Sequence, residues 1–211
     1  MSSRAIPGYK GGVYSTGDPV GFTEEPATLQ GNVARIADEA LSIFNWKESI
    51  QVFDDGVLVD PADYSVDYLA GVVEFDTAPS GPITISGEYL PRLELAGIVE
   101  ANFETSSEEI DSTCFSDLYE QYVSGLGQVT GSFTSIAIAT AETLADKFLE
   151  ENSLVIEHEI AEGSFRLRAV IQVETTVEQS VEDRVEVSVD YTGQNPAGLN
   201  GGQAHFTFIK E

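Results

Sequence analysis

Apolar and polar residues alternate through much of the second half of the chain, and this alternation predicts strands with one buried face. Between residues 93 and 105, the odd positions around Phe103 are apolar, whereas the even positions Glu100 and Glu104 are acidic. Further strands are predicted at residues 132–139, 154–160, 165–174, 181–190 and 204–209. Antiparallel strands that expose one face to water follow this pattern, so the sequence predicts a mainly antiparallel β protein.

Turn residues divide residues 49–90 into short strands. Asp54-Asp55-Gly56 separates two apolar runs, and Tyr68-Leu69-Ala70-Gly71 separates two more. Glycine readily adopts the positive φ that tight hairpin turns require. Pro79-Ser80-Gly81-Pro82 then interrupts the chain before residues 83–90. We therefore predict a small, hairpin-rich antiparallel module of about four strands.

Helical spacing is clearest at residues 141–152, where Leu144 and Phe148 lie four residues apart on one face. A shorter helix of about two turns is predicted within residues 31–45, with Asp38 as its N-cap. The predicted fold is therefore all-β in the main. Two packed antiparallel sheets form a sandwich or half-barrel, with one α-helix beside them and the hairpin module in the N-terminal half.

Two segments lack a sustained period. Residues 1–26 are rich in Gly, Ser, Thr and Pro, which predicts an arm that orders only against a partner. Residues 106–131 contain many loop formers, and so long a loop in a compact domain usually has a function. We therefore divide the chain into a flexible arm, residues 1–30, and a β-sandwich domain, residues 31–211, which includes the long loop.

Acidic residues dominate the charge. Asp and Glu total 36 against 10 Lys and Arg, which gives a formal net charge of −26. Proteins that bind nucleic acids neutralise phosphates with clustered basic residues, and anionic membranes attract the same clusters. Firm binding to nucleic acid or to a membrane surface is therefore disfavoured. A solvated acidic surface, such as adaptation to a salty habitat produces, is an alternative explanation of the charge.

The single cysteine and the lack of a signal-peptide pattern in residues 1–10 are consistent with synthesis in a reducing cytoplasm. Cys114 is the only cysteine, so the chain forms no internal disulfide. Residues 1–10 lack the apolar run of a signal peptide, and no stretch has the length of a membrane span.

Residue types capable of catalysis are present without a supporting arrangement. His158 lies between Glu157 and Glu159, but neighbouring positions of a strand project to opposite faces. His205 has no evident partner, and no motif flanks Cys114. The acidic residues are so numerous that a pair of them indicates no particular chemistry. We therefore expect no enzyme activity, no catalytic residue, no cofactor and no metal site.

Carboxylates recur on the polar sides of the predicted strands. The candidates are Glu100, Glu104, Glu174, Glu178, Glu182, Glu186 and Asp190. If neighbouring copies pair their sheets edge to edge, they close into a large barrel lined by these carboxylates. A negative channel would repel DNA and let it slide, whereas a basic channel would hold it. An ordinary solvated outer face remains the alternative for each carboxylate.

Four segments, taken in order, resemble the major tail tube protein of long, non-contractile-tailed (siphovirus-like) viruses of bacteria or archaea. They are residues 33–44; the strands at 52–56, 64–75 and 83–91; residues 110–117 with 122–127 and 131–133; and residues 165–171. Together they cover residues 30–190, and each motif alone is common in β proteins.

The resemblance implies hexameric rings stacked into a virion tail tube that conducts DNA to the host. It also implies self-association, contacts with tape-measure, tail-terminator and tail-tip proteins, and passage of DNA without specific binding. The six glutamates among the candidates would then face the lumen. The long loop would reach the next ring through Asp111, Phe115, Asp117, Tyr119 and Tyr122. Two other hypotheses stay open: a tail-terminator, baseplate or immunoglobulin-like adhesion module, and a β-sandwich hydrolase that uses His158.

Overall fold

The computed structural model describes residues 12–111, 122–136, 154–160, 165–179, 185–193 and 206–210. These residues form two antiparallel sheets and two 3₁₀ helices, so the predicted mainly-β class is confirmed. The predicted helix at residues 141–152 lies outside the described residues. The strands are β1 (Gly12–Thr16), β2 (Val20–Gln30), β3 (Val33–Ile36), β4 (Gln51–Asp54), β5 (Val57–Leu58), β6 (Tyr64–Asp67), β7 (Val72–Phe75), β8 (Ile83–Tyr89), β9 (Arg92–Glu94), β10 (Ile98–Asp111), β11 (Tyr122–Ser135), β12 (Leu154–Ile160), β13 (Phe165–Gln179), β14 (Val185–Gly193) and β15 (Phe206–Lys210).

Two compact units divide the chain. The first contains Met1–Leu95, Val155–Ala169 and Asn195–Glu211, and the second contains Ala96–Leu154 and Val170–Gln194. Strand β13 contributes to both, because the division falls between two of its residues.

A seven-stranded sheet in the first unit is rolled into a half-barrel. Its order is β5-β4-β8-β2-β3-β7-β6, so β5 and β6 lie at opposite edges. Only residues 59–63 connect these two strands. A flat sheet of this size would separate its edge strands by about 29 Å, whereas the connection spans at most about 22 Å. The sheet therefore curls, and the Tyr64 hydroxyl donates a hydrogen bond to the Ile50 carbonyl at 2.8 Å.

The concave side of this half-barrel holds an apolar core. Its buried members come from β3, β4, β6, β7 and β8 and from the segment before β4: Ala34, Ile36, Leu41, Phe44, Ile50, Val52, Val66, Val73, Phe75, Ile83 and Ile85. Phe22 and Tyr89 pack against this core, and the Phe22 ring stacks on Phe44 with their centroids 5.9 Å apart.

The prediction of an irregular segment over residues 1–26 is wrong for residues 12–16 and 20–26, which lie in β1 and β2. Strand β2 pairs with β3 on one side and β8 on the other. A bulge at Glu24, which has a φ of 51°, interrupts the alternation of half-buried Phe22, Ala27 and Leu29. Pairing on both sides fixes a strand whose Gly and Pro content favours a loop. The division into an arm and a domain stays a prediction.

The prediction of a two-turn helix within residues 31–45 is also wrong. Val33–Ile36 is a strand, and only Glu39–Leu41 is helical, as a single 3₁₀ turn. Ala34 and Ile36 are buried at a spacing of two, so a strand period decides the first half of the segment. The predicted capping residue is confirmed, because Asp38 Oδ1 accepts a hydrogen bond from the Ala40 amide at 2.9 Å.

The hairpin module at residues 49–90 is present, with five strands rather than four, β4 to β8. Asp55 and Gly56 have φ values of 49° and 77°, which match the tight turn predicted between β4 and β5. Gly71, with a φ of 64°, ends the turn between β6 and β7. A Cβ atom at Gly71 would meet the Ser42 main chain, so glycine also permits two loops to pack closely.

The remaining strands of the first unit belong to the other sheet. β1 pairs with β12 on one side and with β9 on the other, and β15 pairs with the start of β13. The Gly17 amide donates to the Pro91 carbonyl at 2.8 Å. Residues 18–90 are therefore inserted between β1 and β9, and the two ends of this insertion are joined by the Gly17–Pro91 hydrogen bond.

The second unit contains four antiparallel strands of the eight-stranded sheet, in the order β10-β11-β14-β13, with β13 contributing residues from Val170 onward. We call these four strands the four-stranded sheet. β10 and β11 have 14 residues each and pair from Ile98–Ser135 to Asp111–Tyr122. The predicted loop at residues 106–131 is therefore wrong for 106–111 and 122–131. Continuous pairing along the hairpin outweighs the weak hydrophobic period there. Residues 112–121 lie outside the described part.

Candidate subunit interface on the four-stranded sheet

The register of the four strands places all their even-numbered central positions on one face. Glu104 is opposite Thr130, Thr130 is opposite Thr192, and Thr192 is opposite Gln172. The two neighbouring rows repeat this arrangement. We define the polar face by these positions: Glu100, Asn102, Glu104, Thr130, Ser132, Thr134, Gln172, Glu174, Thr176, Glu178, Glu186, Ser188, Asp190 and Thr192. Every position is acidic, amide or hydroxyl.

The polar face carries negative charge, and none of its defined positions is a cation. The described strand residues of the second unit include no Lys and no Arg. Glu100, Glu104 and Asp190 are exposed. The register also sets Glu174 opposite Asp190 and Glu178 opposite Glu186. Like charges at directly opposite positions destabilise a sheet, so stability of the strand pair alone does not explain this arrangement.

The opposite face of the same sheet is apolar. Val129, Phe133, Ile171, Val189 and Tyr191 are each at most 3% exposed. Burial raises the pKa of the Tyr191 hydroxyl well above its ordinary value. The alternation of residues at a period of two therefore separates a buried apolar face from a polar face, as predicted for half-buried strands.

Gly131 lies beneath the Tyr191 ring. A Cβ atom there would lie 2.5 Å from the Asn102 carbonyl oxygen and would also overlap the Tyr191 hydroxyl. The Tyr191 hydroxyl donates to that carbonyl at 3.4 Å, so one side chain spans three strands. The glycine is required by this close approach.

Strand β10 forms one margin of the sheet. It pairs with β11 on one side, and no other described strand pairs with it on the other side. A bulge next to Ile98 leaves Val99 60% exposed. Glu100, Ala101, Asn102, Glu104 and Thr105 are also exposed. A long unpaired strand offers its amides and carbonyls to another strand.

The far half of β13 forms the opposite margin. β12 has seven residues and joins β13 through residues 161–164, so it accompanies only the beginning of β13. Residues 172–179 pair with β14. On the other side they have no partner among the described strands. Among the described strands, β10 and residues 172–179 of β13 thus have a pairing partner on one side alone, and we call these two segments the margins of the four-stranded sheet.

The structure brings most of the predicted carboxylates together. Glu100, Glu104, Glu174, Glu178 and Glu186 all occupy the polar face by register, as does Asp190. Glu182 lies outside the described residues. Asp111 and Tyr122 are the last pair of the β10–β11 hairpin. Phe115, Asp117 and Tyr119 lie outside the described residues, so the proposed contact with a next ring stays a prediction.

Sequence reasoning missed a buried ionic network in the first unit. Arg168 Nε donates to Glu157 Oε2 at 2.5 Å. Arg168 Nη1 donates to the Ser42 and Leu69 carbonyls at 3.1 and 2.9 Å, and Nη2 donates to Ser42 Oγ at 2.9 Å. Arg92 forms an ion pair with Glu157 as well. Burial lowers the pKa of Arg168, and Glu157 opposes this effect. Only the closeness of Arg166 and Arg168 in the alternating sequence hinted at this network.

His158, which the hydrolase hypothesis would use, is buried at 4% exposure. Burial lowers the pKa of His158 to about 4. The adjacent Glu157 carboxylate is bound by two arginines. His158 is therefore a packed side chain of the first unit.

The described ranges contain no group of three or more His, Cys, Asp or Glu residues that could hold a metal ion. No helix within the same ranges is long and apolar enough to cross a membrane.

A scan against protein-family models gives no match, and a search of curated proteins also gives none. Among solved structures, the chain is similar to one in the tail of an empty gene transfer agent particle with C6 symmetry. The TM-score is 0.43 at 11% identity, over 50% of this chain and 84% of the other. A chain in the virion of a native gene transfer agent particle gives the same TM-score and identity, over 50% and 85%. Likeness at this level carries no functional inference.

Proposed function

We propose that this chain is a structural subunit of a viral tail tube, in which copies join through the margins of the four-stranded sheet. The observation that supports this proposal is the combination of two free margins with a polar face that carries carboxylates and no cation. One copy alone leaves both margins without partners among the described strands. A second copy supplies the missing hydrogen bonds.

Ring closure follows from the strand directions. Four antiparallel strands give β10 and β13 opposite directions. When copies are related by rotation about one axis, β10 of one copy therefore runs antiparallel to β13 of the next. Every joint repeats the pairing found within the copy, and the ring closes without a free edge.

Ring size comes from the family resemblance, which implies six copies and hence 24 strands. Strands spaced about 4.8 Å apart and tilted by about 40° then give a barrel about 48 Å across between backbones. That width accommodates a DNA duplex. The polar face would line the lumen, because the apolar face is already buried.

The chemistry of the lumen fits passage without binding. Proteins that hold DNA place Lys and Arg against its phosphates and release counterions. Carboxylates and hydroxyls provide no such contact, so the phosphates are repelled from the wall. Stacked rings of this kind would enclose a tape-measure protein before DNA passes, with terminator and tip proteins at the two ends. These partners are implied by the resemblance.

Electron microscopy of the purified protein tests the proposal. Wild-type protein at high concentration and about 0.5 M salt is expected to form rings or tubes, with each joint burying more than about 1,000 Å². Thr105→Pro places a residue without an amide hydrogen in the exposed margin strand and is expected to abolish tubes. Retained circular dichroism would show that the variant folds. Wild-type protein that remains monomeric under these conditions would contradict the proposal.

A second candidate function rests on the first unit. Residues 18–90 have their own rolled sheet and core, and the β4–β5 hairpin exposes Val57 and Leu58 at 70% and 56%. Such a module could serve a terminator, a baseplate or an adhesion protein as a monomer. Binding of a glycan or a receptor by monomeric protein, without ring formation, would favour this alternative.

A further inference from the structure

The spacing of carboxylates along the two sheet margins restricts how adjacent copies align. On the even-numbered positions of β10, glutamates occupy 100, 104 and 108, and on β13 they occupy 174 and 178; Glu109 has an odd position. Both margins therefore repeat a carboxylate every fourth residue. We infer that Glu104 of one copy lies opposite Thr176 of the next copy, an inference that rests on the proposed ring. The same alignment sets Asn102 opposite Glu178 and Ser106 opposite Glu174.

Only a few alignments are possible. Pairing must keep the polar face continuous from copy to copy, so even positions meet even positions and the alignment changes in steps of two residues. Three alignments pair all of residues 172–179 with residues of β10. They set Glu104 of one copy opposite Glu174, Thr176 or Glu178 of the next.

Charge separates these three alignments. With Glu104 opposite Glu174, Glu100 also meets Glu178, so two carboxylate pairs oppose each other at every joint. With Glu104 opposite Glu178, Glu108 meets Glu174, which again gives two pairs. With Glu104 opposite Thr176, every glutamate of the paired segments meets a neutral residue. Two opposed like-charge pairs lower the equilibrium constant of a joint by about 2- to 30-fold.

Barrel geometry points to the same alignment. The rows within one copy end with Glu104 level with Gln172. Joining copies along these rows would leave the strands without tilt, whereas closed barrels tilt their strands by about 35–45°. Thr176 lies four residues beyond Gln172. An offset of four residues over four strands equals one residue per strand, the ratio found in eight-stranded barrels of shear 8 with a tilt of about 36°.

The odd-numbered positions support the alignment as well. It sets Phe103 of one copy opposite Val177 of the next, and Thr105 opposite Thr175. Aromatic residues opposite β-branched residues, and threonine opposite threonine, are favourable cross-strand pairs. The alternative that sets Glu104 opposite Glu178 places Phe103 opposite Gln179 and is disfavoured. The alternative that sets Glu104 opposite Glu174 keeps an aromatic–β-branched pair, Phe103 opposite Thr175, so charge and tilt decide against that one.

Disulfide cross-linking reads the alignment directly. In a Cys114→Ser background, Glu104→Cys is combined in turn with Gln172→Cys, Glu174→Cys, Thr176→Cys or Glu178→Cys. Opposed residues lie about 4.5–5.5 Å apart between Cα atoms, within the range of a disulfide, whereas diagonal neighbours lie about 7–8 Å apart. The two sites of one copy are at least about 14 Å apart, because three strand spacings separate them, so each bond must join two copies.

Oxidised assemblies of the Glu104→Cys, Thr176→Cys variant are expected to give a ladder of multimers on a non-reducing gel. The other three variants are expected to remain mainly monomeric. A ladder from the variant with Cys at 172, 174 or 178, or no ladder while tubes are visible, would overturn the inference. Wild-type protein without rings or tubes would instead overturn the proposed function and the inference with it.

A charge comparison covers the case in which the cysteine variants fail to assemble. Thr176→Glu and Thr192→Glu each add one carboxylate to the polar face, and each of these positions has only neutral partners within its own copy. Only Thr176→Glu faces a carboxylate across the inferred joint. It should need a higher salt concentration for half-maximal assembly than Thr192→Glu. Equal shifts for the two variants would count against the alignment.

Discussion

Replacing Arg168 with methionine tests whether the buried ionic network holds the first unit together. Arg168 has no exposed surface, and its guanidinium donates to Glu157, to two main-chain carbonyls and to a hydroxyl. Methionine fills much of the same volume but donates no hydrogen bond. Glu157 then retains Arg92, while the Ser42 and Leu69 carbonyls each lose this donor. Breaking a buried ion pair from one side typically costs about 3–5 kcal/mol.

The assay uses Trp46, the only tryptophan of the chain, which is buried in the first unit at 5% exposure. Its emission during urea unfolding reports the stability of that unit. Arg35→Met is the matched control, because Arg35 is exposed and makes a single 3.4 Å hydrogen bond to the Ala70 carbonyl. We expect the control to lose less than about 1 kcal/mol.

The outcome is decided by the difference between the two variants. If Arg168→Met loses no more stability than Arg35→Met, the network has no structural role. A double variant with Glu157→Gln sharpens the test, since removing both charges should cost less than the sum of the single losses. Additive losses would show that the two side chains act independently.

Three further outcomes are expected. The pKa of His158 is lowered to about 4 in the folded chain, so the unfolded chain binds the extra proton first as pH falls below 6.5. The free energy of unfolding should therefore drop by up to about 3 kcal/mol between pH 6.5 and pH 4. The variant His158→Gln should show a smaller drop over the same pH range. Gly131→Ala forces a Cβ atom against the Asn102 carbonyl and the Tyr191 hydroxyl and should destabilise the second unit by about 1–3 kcal/mol, seen as lost tyrosine signal in near-ultraviolet circular dichroism at lower urea. Raising salt from about 0.01 to 0.15 M shortens the screening length from about 30 to 8 Å and should promote assembly in sedimentation experiments; monomers that need molar salt merely to fold would favour adaptation to a salty habitat.

Local patterns predicted part of the second unit. Alternation at a period of two identified the first half of β10, the beginning of β13 and most of β14, and it placed Glu100 and Glu174 on the polar side before any register was known. The physical reason is that each strand buries one face and exposes the other to water, so the alternation of apolar and polar residues shows which face each residue is on. Which strands pair with each other depends on residues far apart in the sequence, and the local alternation does not show it.

Errors of prediction occurred where distant pairing decides the conformation. Strand β2 contains Gly21 and Pro26, both unfavourable in strands, yet it lies between β3 and β8. Residues 106–111 and 122–131 have weak alternation but pair with each other along a hairpin. Each segment alone lacks the signal, because the stabilising hydrogen bonds come from residues elsewhere in the chain.

The Arg168 network shows a different limit. An arginine in an alternating strand suggests a solvent-facing position, because isolated charges are rarely buried. Here Glu157 on β12 and two loop carbonyls converge on it, and burial becomes tolerable through these partners together. The three groups come from separate parts of the chain, so neither composition nor period identifies them as partners of Arg168.

Opposed carboxylates and free margins belong to one explanation. Glu174 opposite Asp190 and Glu178 opposite Glu186 weaken the sheet of an isolated copy, and a monomer would gain nothing from them. In the proposed ring, the same carboxylates would give the lumen its negative charge and would penalise a slip of two residues at each joint. A feature that is costly within one copy would thus gain a use between copies, which is why we propose the assembly as the working unit.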